Sequence, residues 1–171
     1  INVTTDRAVF NNAEVSKRVI CVVTPTAAWW GGGGGVALIG FFGENAPCWT
    51  FNLEEFSCAD TISHDVGHTL GLFHDGASDD YDPYYDGHGT GETAWGPIMG
   101  APFGRQPEDN KNVTQWSKAE YSNAVNYGFE GILLSPPQDD LQLIADNGFG
   151  YRADDHIDSP TPLASGLNSF G

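Results

Sequence analysis

The sequence predicts an α/β fold of the α+β type, built from short strands and one central helix. Two runs rich in β-branched residues, 17–23 and 36–42, are typical of buried strands. A helix follows them, because Ile62, Val66 and Leu70 recur every four residues and form one apolar stripe. With 171 residues, 40% of them hydrophobic, the chain is long enough for one domain with a sizeable core.

The residues between the first run and the central helix predict a loop, a third strand and a helix cap. Between the two runs, residues 29–35 contain two tryptophans and five glycines, which predicts a mobile loop because glycine is costly to order. Residues 48–53 predict a third strand. Asp60 or Thr61 is expected to cap the start of the helix.

The sequence of the C-terminal third predicts one more helix, followed by a linker into a second domain. Ser117-Lys118-Ala119-Glu120 matches a capping box, so a helix is expected over residues 118–127. After Pro136-Pro137 the sequence becomes rich in aspartate pairs and prolines. We therefore expect a domain over residues 1–135, followed over residues 136–171 by a linker and the start of a truncated second module.

The net charge of the chain argues against two classes of binding partner. Twenty-three acidic and seven basic residues give a formal charge of −16, which repels nucleic acid and anionic membranes. No run approaches the roughly 18 apolar residues that a membrane span needs. We therefore expect neither nucleic acid nor membrane as a partner. A solvated surface, calcium binding and a saline habitat all remain open as reasons for the acidity.

The three cysteines are Cys21, Cys48 and Cys58. An odd number predicts one disulfide and one spare thiol in a secreted protein. A bond between Cys48 and Cys58 would close a short loop, and one between Cys21 and Cys48 would join two strands. In the third alternative, all three are small buried thiols.

Three histidines predict a metal site. His64 and His68 are four residues apart and so lie on one face of the predicted helix, where both imidazoles can reach one ion. Gly71 has no Cβ and can adopt the left-handed conformation, which ends the helix and returns His74 toward the other two. Three nitrogen ligands with an open fourth position are typical of catalytic zinc, whereas structural zinc has four protein ligands. The sequence therefore predicts a Zn²⁺ site that carries out chemistry.

Residues 64–75 resemble the metzincin clan of zinc endopeptidases, whose signature is H-E-x-x-H-x-x-G-x-x-H-D with a methionine turn downstream. Asp75 matches the acid that follows the third ligand in reprolysin-like members, where it would fix the loop or support a ligand. Met99 is the only methionine and lies in Gly96-Pro97-Ile98-Met99-Gly100, 25 residues after His74, as a Met-turn would.

The resemblance implies the rest of the architecture and the function. It implies a twisted mixed sheet over the zinc helix, the Met-turn beneath, and a C-terminal helix behind it. It also implies a monomeric, secreted, extracellular protease of bacterial type that binds a protein or peptide substrate along the edge strand at 36–42, although an ordinary covered edge strand is the alternative. Only 63 residues precede His64, so part of the first strand and backing helix of such a domain is expected to be missing.

One position departs from the signature: Asp65 stands where the family has its glutamate general base. Aspartate is one methylene shorter, which withdraws the carboxylate by about 1.5 Å. A misplacement of about 1 Å can cost on the order of 10²-fold in rate, or about 2.7 kcal/mol. Two functions are therefore open: a zinc endopeptidase weakened at its base, and a zinc-binding pseudo-protease that holds peptides without cleaving them.

The segment after His74 is acidic, with five aspartates within twelve residues that alternate with Gly, Tyr and Pro. Their oxygens could hold Ca²⁺, but the spacing does not match an EF-hand loop, and a solvated loop is the alternative. His88 and His156 are not assigned to the site, and no tyrosine is assigned as a ligand. The five aspartates are Asp75, Asp79, Asp80, Asp82 and Asp86.

Overall fold

The computed structural model describes residues 3–78, 82–103, 111–128, 132–134 and 136–150. Within these ranges the protein is a mixed α/β structure with small sheets and few helices, compatible with the α+β class that the sequence predicts. None of the described helices is long and apolar enough to cross a membrane. The elements are α1 (Arg7–Asn12), β1 (Cys21–Val23), β2 (Gly35–Val36), β3 (Cys48–Thr50), α2 (Glu55–Thr69), β4 (His74–Ala77), β5 (Trp95–Pro97), β6 (Val113–Gln115), β7 (Ala124–Tyr127), β8 (Leu133–Leu134) and α3 (Asp140–Ile144).

The first sheet has the order β1-β3-β2 and packs against α2. Strand β1 runs parallel to β3 and β2 runs antiparallel to it, so β2 is an edge strand. The strand expected over 36–42 is only two residues long, Gly35–Val36. Beyond it, the backbone N–H groups of Gly40 and Phe42 donate to the carbonyls of His68 and Thr69. The chain leaves the sheet there because the last carbonyls of α2 need donors.

Helix α2 begins earlier than the sequence indicates. Glu54 is its N-cap, and Asp60 and Thr61, the expected caps, are buried inside the helix. The first helical bond already joins the N–H of Cys58 to the carbonyl of Glu54, so the first turn forms without a side-chain cap. The cap prediction was wrong because it placed the start of α2 at the apolar stripe, whereas the helix begins about two turns earlier.

The end of α2 has the geometry expected of a glycine terminus. Gly71 has φ +94°, in the left-handed region that L side chains rarely adopt. Its N–H donates to the carbonyl of His68, and the N–H of Leu72 donates to that of Gly67. These two bonds form a Schellman motif, with buried Leu72 as its apolar contact. The motif turns the chain directly into β4.

The second sheet has the order β4-β7-β8, with β4 and β7 antiparallel. The helix expected over 118–127 is absent, since residues 124–127 form β7. The capping-box prediction was wrong because the Ser117 hydroxyl accepts from the N–H of Ala119, which closes a local turn. Ala119 and Asn123 then have φ 57° and 60°, which a helix does not allow. The backbone of β7 is paired with β4 instead.

The C-terminal part of the described chain packs beside the ligand-bearing segment. Gln138 forms two bonds with the peptide groups of Phe73: its Oε1 accepts from the N–H at 2.9 Å, and its Nε2 donates to the carbonyl at 2.7 Å. Asn147 donates to the carbonyl of Leu70. The boundary expected between residues 135 and 136 stays a prediction, and residues 151–171, most of the expected second module, lie outside the described ranges.

Candidate metal centre

The three histidines meet at one point, as their spacing predicts. His64 and His68 lie one turn apart on α2, and His74 is the first residue of β4. One nitrogen of each lies within 4.8 Å of the other two, and the Nε2 atoms of His68 and His74 are 3.0 Å apart. Tetrahedral zinc with Zn–N bonds of about 2.0–2.1 Å needs N···N separations of roughly 3.3 Å. Small side-chain adjustments therefore suffice for these residues to hold one metal ion.

Backbone carbonyls fix the tautomers of two of the ligands. The Nδ1 atom of His64 lies 2.7 Å from the carbonyl oxygen of Ile98, and that of His68 lies 2.8 Å from that of Leu72. A carbonyl only accepts hydrogen bonds, so both Nδ1 atoms carry the proton and donate it. Each Nε2 lone pair is then directed away from the carbonyl and is free to bind a cation. The turns that follow β5 and α2 thereby orient two ligands.

The electrostatic surroundings keep the three imidazoles neutral. Burial lowers the pKa of all three imidazoles. The neighbouring imidazoles add to this effect at His64 and His74, and the pKa of His74 is lowered to about 3 in total. Metal ligation requires neutral imidazole, because a protonated nitrogen has no lone pair to offer. The cluster is therefore a set of ligands at neutral pH rather than a cationic patch.

Met99 lies beneath the ligand-bearing turn of α2. Its side chain is fully buried, and its carbonyl accepts from the N–H of Asp75 at 2.9 Å. Gly67, between His64 and His68 in sequence, leaves room for it: a Cβ at Gly67 would come within 2.6 Å of the Met99 sulfur. The turn that contains Met99 thus contacts both the helix and the strand that carry the ligands.

Asp75 is also fully buried and supports the strand of the third ligand. Its Oδ1 accepts from Asn126 Nδ2 at 2.8 Å, and the same nitrogen donates to the carbonyl of His74 at 3.0 Å. Burial raises the pKa of Asp75 to about 7. Asn126 was not singled out by the sequence, since its partners lie about fifty positions away and no local signal marks them.

Asp65, the expected base, lies in the wall of the cleft that holds the triad. It is 3% exposed, and its Oδ2 is buried without a hydrogen-bond partner among the described residues. The carboxyl lies against Gly35 of β2, where any Cβ would overlap it. Burial, together with the nearby Cys21, raises the pKa of Asp65 to about 8. A divalent cation beside the carboxyl would lower this pKa.

Comparisons with protein-family models, curated proteins and solved structures gave no match for this chain. Within the described residues, the triad is the one group of three or more His, Cys, Asp or Glu side chains that could hold a metal ion. Asp79, Asp80 and His156 lie outside the described ranges, so calcium binding by the acidic segment stays a prediction.

The cleft over the triad has a volume of about 570 Å³. The edge strand and the preceding glycines form one side, and the described part of the lining contains no Lys or Arg. Tyr84 also lines it, with its ring centroid 4.1 Å from that of His74. The sequence placed no tyrosine here. An Asx turn brings Tyr84 in, because its N–H donates to the Asp82 side chain.

Proposed function

We propose that this protein is a secreted, monomeric zinc endopeptidase with a metzincin-like fold. The observation that carries the proposal is the convergence of three neutral imidazoles in an open cleft, with one carboxyl group in the same wall. The order of the motif, the Schellman turn and the buried methionine under α2 supports the family resemblance.

The proposed roles follow from the positions. His64, His68 and His74 would hold Zn²⁺ through their Nε2 atoms. When bound, zinc supplies Lewis-acid chemistry, which lowers the pKa of water to about 7 and polarises a carbonyl. Asp65 would accept the proton of the attacking water and return it to the leaving amine. Its place in the cleft wall, at the turn of α2 that carries two ligands, is what this role requires.

The cleft supports an extended peptide as substrate. Among the described strands, β2 pairs only with β3, so its other side can pair with an added strand. The side chains of Phe73 and Tyr84 give apolar contacts in the cleft. With no Lys or Arg in the described lining and a chain charge of −16, neutral or basic peptides are favoured over acidic ones.

A second candidate is a pseudo-protease that binds zinc and peptide without cleavage. The state of Asp65 favours it, because burial against Gly35 keeps this carboxyl protonated at neutral pH in the absence of a nearby cation. A protonated carboxyl cannot accept the proton of the attacking water.

Gelatin cleavage by the zinc-loaded protein, with and without a chelator, separates the two functions. We expect chelator-sensitive cleavage. Asp65→Glu should raise kcat by about 10²-fold with little change in KM, because the longer side chain brings the base closer to the reacting atoms. Asp65→Asn is the matched control, which keeps the shape and should abolish turnover while retaining zinc. Zinc binding without cleavage by either the native protein or Asp65→Glu would favour the pseudo-protease.

Zinc binding is tested separately by thermal unfolding. At a free zinc concentration of about 100 times Kd, we expect stabilisation by about 2.7 kcal/mol, which is a Tm increase of about 5–10 °C. His74→Ala should remove the increase. His88→Ala is the control, because His88 does not belong to the cluster. A zinc-dependent shift that survives His74→Ala would overturn the assignment of the ligands.

A further inference from the structure

Cys21 and Cys48 lie opposite each other in the first sheet. They are register partners on the neighbouring parallel strands β1 and β3. Adjacent strands lie about 4.8 Å apart, and register partners project from the same face. The two thiols are also close enough for each to shift the pKa of the other. Disulfides span Cα separations of about 4.4–6.8 Å, and the usual spacing of register partners on adjacent strands lies within this range.

We propose that Cys21 and Cys48 form a disulfide in the oxidised protein and that Cys58 is the spare thiol. In the structure all three cysteines are thiols. Cys58 lies on α2, outside the two paired strands that carry Cys21 and Cys48. The geometry thus chooses among the pairings that the sequence leaves open.

The burial of the two thiols assigns the order of the reaction. Cys48 is 0% exposed, whereas Cys21 is partly exposed and can meet an oxidant. Contact with Cys48 lowers the pKa of Cys21 to about 7, and the same contact raises that of Cys48. Cys21 is therefore the thiol that reacts first.

The oxidant is a small disulfide such as oxidised glutathione. The Cys21 thiolate attacks one sulfur of this disulfide, a mixed disulfide forms, and the first glutathione leaves as a thiol. Cys48 then loses its proton and attacks the Cys21 sulfur, which releases the second glutathione. Two protein thiols have lost two protons and two electrons, and one glutathione disulfide has become two thiols.

The bond would close a ring that contains the glycine segment 31–35 beside the cleft. Glycine has the greatest backbone freedom in the unfolded chain, so a closed ring restricts the unfolded state strongly. For a ring of this length we expect oxidation to raise Tm by about 10 °C. This proposal does not depend on the proposed enzymatic activity.

The test uses the full chain without metal, equilibrated with either oxidised glutathione or a phosphine reductant. Free thiols are then alkylated and peptides are mapped by mass spectrometry without reduction. We expect a peptide linking Cys21 to Cys48, alkylation of Cys58 alone, and the higher Tm in the oxidised sample. Cys58→Ser should retain the linked peptide and the Tm difference, and Cys21→Ser should lose both.

Three results would overturn the proposal. The first is a linked peptide that contains Cys58, and the second is alkylation of all three cysteines after oxidation. The third is a Tm difference that persists in Cys21→Ser. Because cleavage and zinc binding are measured separately, failure here would leave the proposed function intact.

Discussion

Gly67→Ala is expected to destabilise the protein, although alanine favours helices. At an exposed helix position, this change stabilises by about 1 kcal/mol. Gly67 is not exposed, since it lies where α2 crosses Met99. The new Cβ would lie 2.6 Å from the Met99 sulfur, 3.0 Å from Trp116 and 3.2 Å from Leu72. The sign of the effect depends on whether these neighbours can move.

Two of the three neighbours are confined. Met99 and Leu72 are both 0% exposed, so neither can move toward solvent. Carbon–sulfur contacts normally lie near 4 Å, so the sulfur or the helix must shift by more than 1 Å. Overpacking of this kind costs typically about 1–3 kcal/mol. Against a helix gain of about 1 kcal/mol, we expect net destabilisation of up to about 2 kcal/mol.

Urea unfolding of the metal-free protein measures this difference. Zinc affinity should fall as well, because the displaced turn contains Ile98, whose carbonyl orients His64. In a Met99→Ala background the clash with sulfur is gone, and Gly67→Ala should become neutral or stabilising. A Gly67→Ala protein more stable than the native one, or an equal cost in both backgrounds, would refute the reasoning.

Two further predictions concern Asp65 and Asp60. Gly35→Ala should lower turnover by about 10²-fold with zinc stoichiometry unchanged, since its Cβ would displace the Asp65 carboxyl. Gly128 lines the same cleft, and a Cβ there would make only ordinary contacts, so Gly128→Ala is the control. Loss of zinc together with activity in Gly35→Ala would contradict the prediction. Burial raises the pKa of Asp60 from 3.8 to about 7. Between about pH 4 and pH 7 the folded state therefore keeps a proton that the unfolded state releases. The free energy of unfolding falls as pH rises through this range. The Asp60→Asn variant has no carboxyl proton to lose. In urea unfolding, its free energy of unfolding relative to that of the native protein should therefore increase by roughly 2–3 kcal/mol between pH 5 and pH 8. A difference that stays constant with pH would contradict the pKa shift.

The parts of the site that the sequence predicted depend on short-range geometry. His64 and His68 are set by the period of one helix, and His74 by a glycine turn only three residues earlier. Such relations act over a few residues and do not need a tertiary structure. The α+β class was accessible for the same reason, because runs and stripes report local periodicity.

The elements that could not be predicted depend on partners far along the chain. Residues 37–42 were expected as a strand, but their N–H groups satisfy the end of α2. Ala124–Tyr127 had the pattern of a helix end, yet β4 provides its hydrogen bonds. Tyr84 reaches His74, and Gly35 reaches Asp65, only once these long-range pairings exist. Tertiary contacts outweigh local preference at each of these positions.

The two hydrogen bonds between Gln138 and the backbone of Phe73 limit which shortened or recombined forms of this chain can keep the site intact. Phe73 immediately precedes His74, so a recombination or a proteolytic cut that removes Gln138 would remove both of these bonds from the peptide groups beside His74. Shuffled or shortened descendants of this protein should therefore preserve the stretch through Asn147 together with the histidines, whatever sequence follows it.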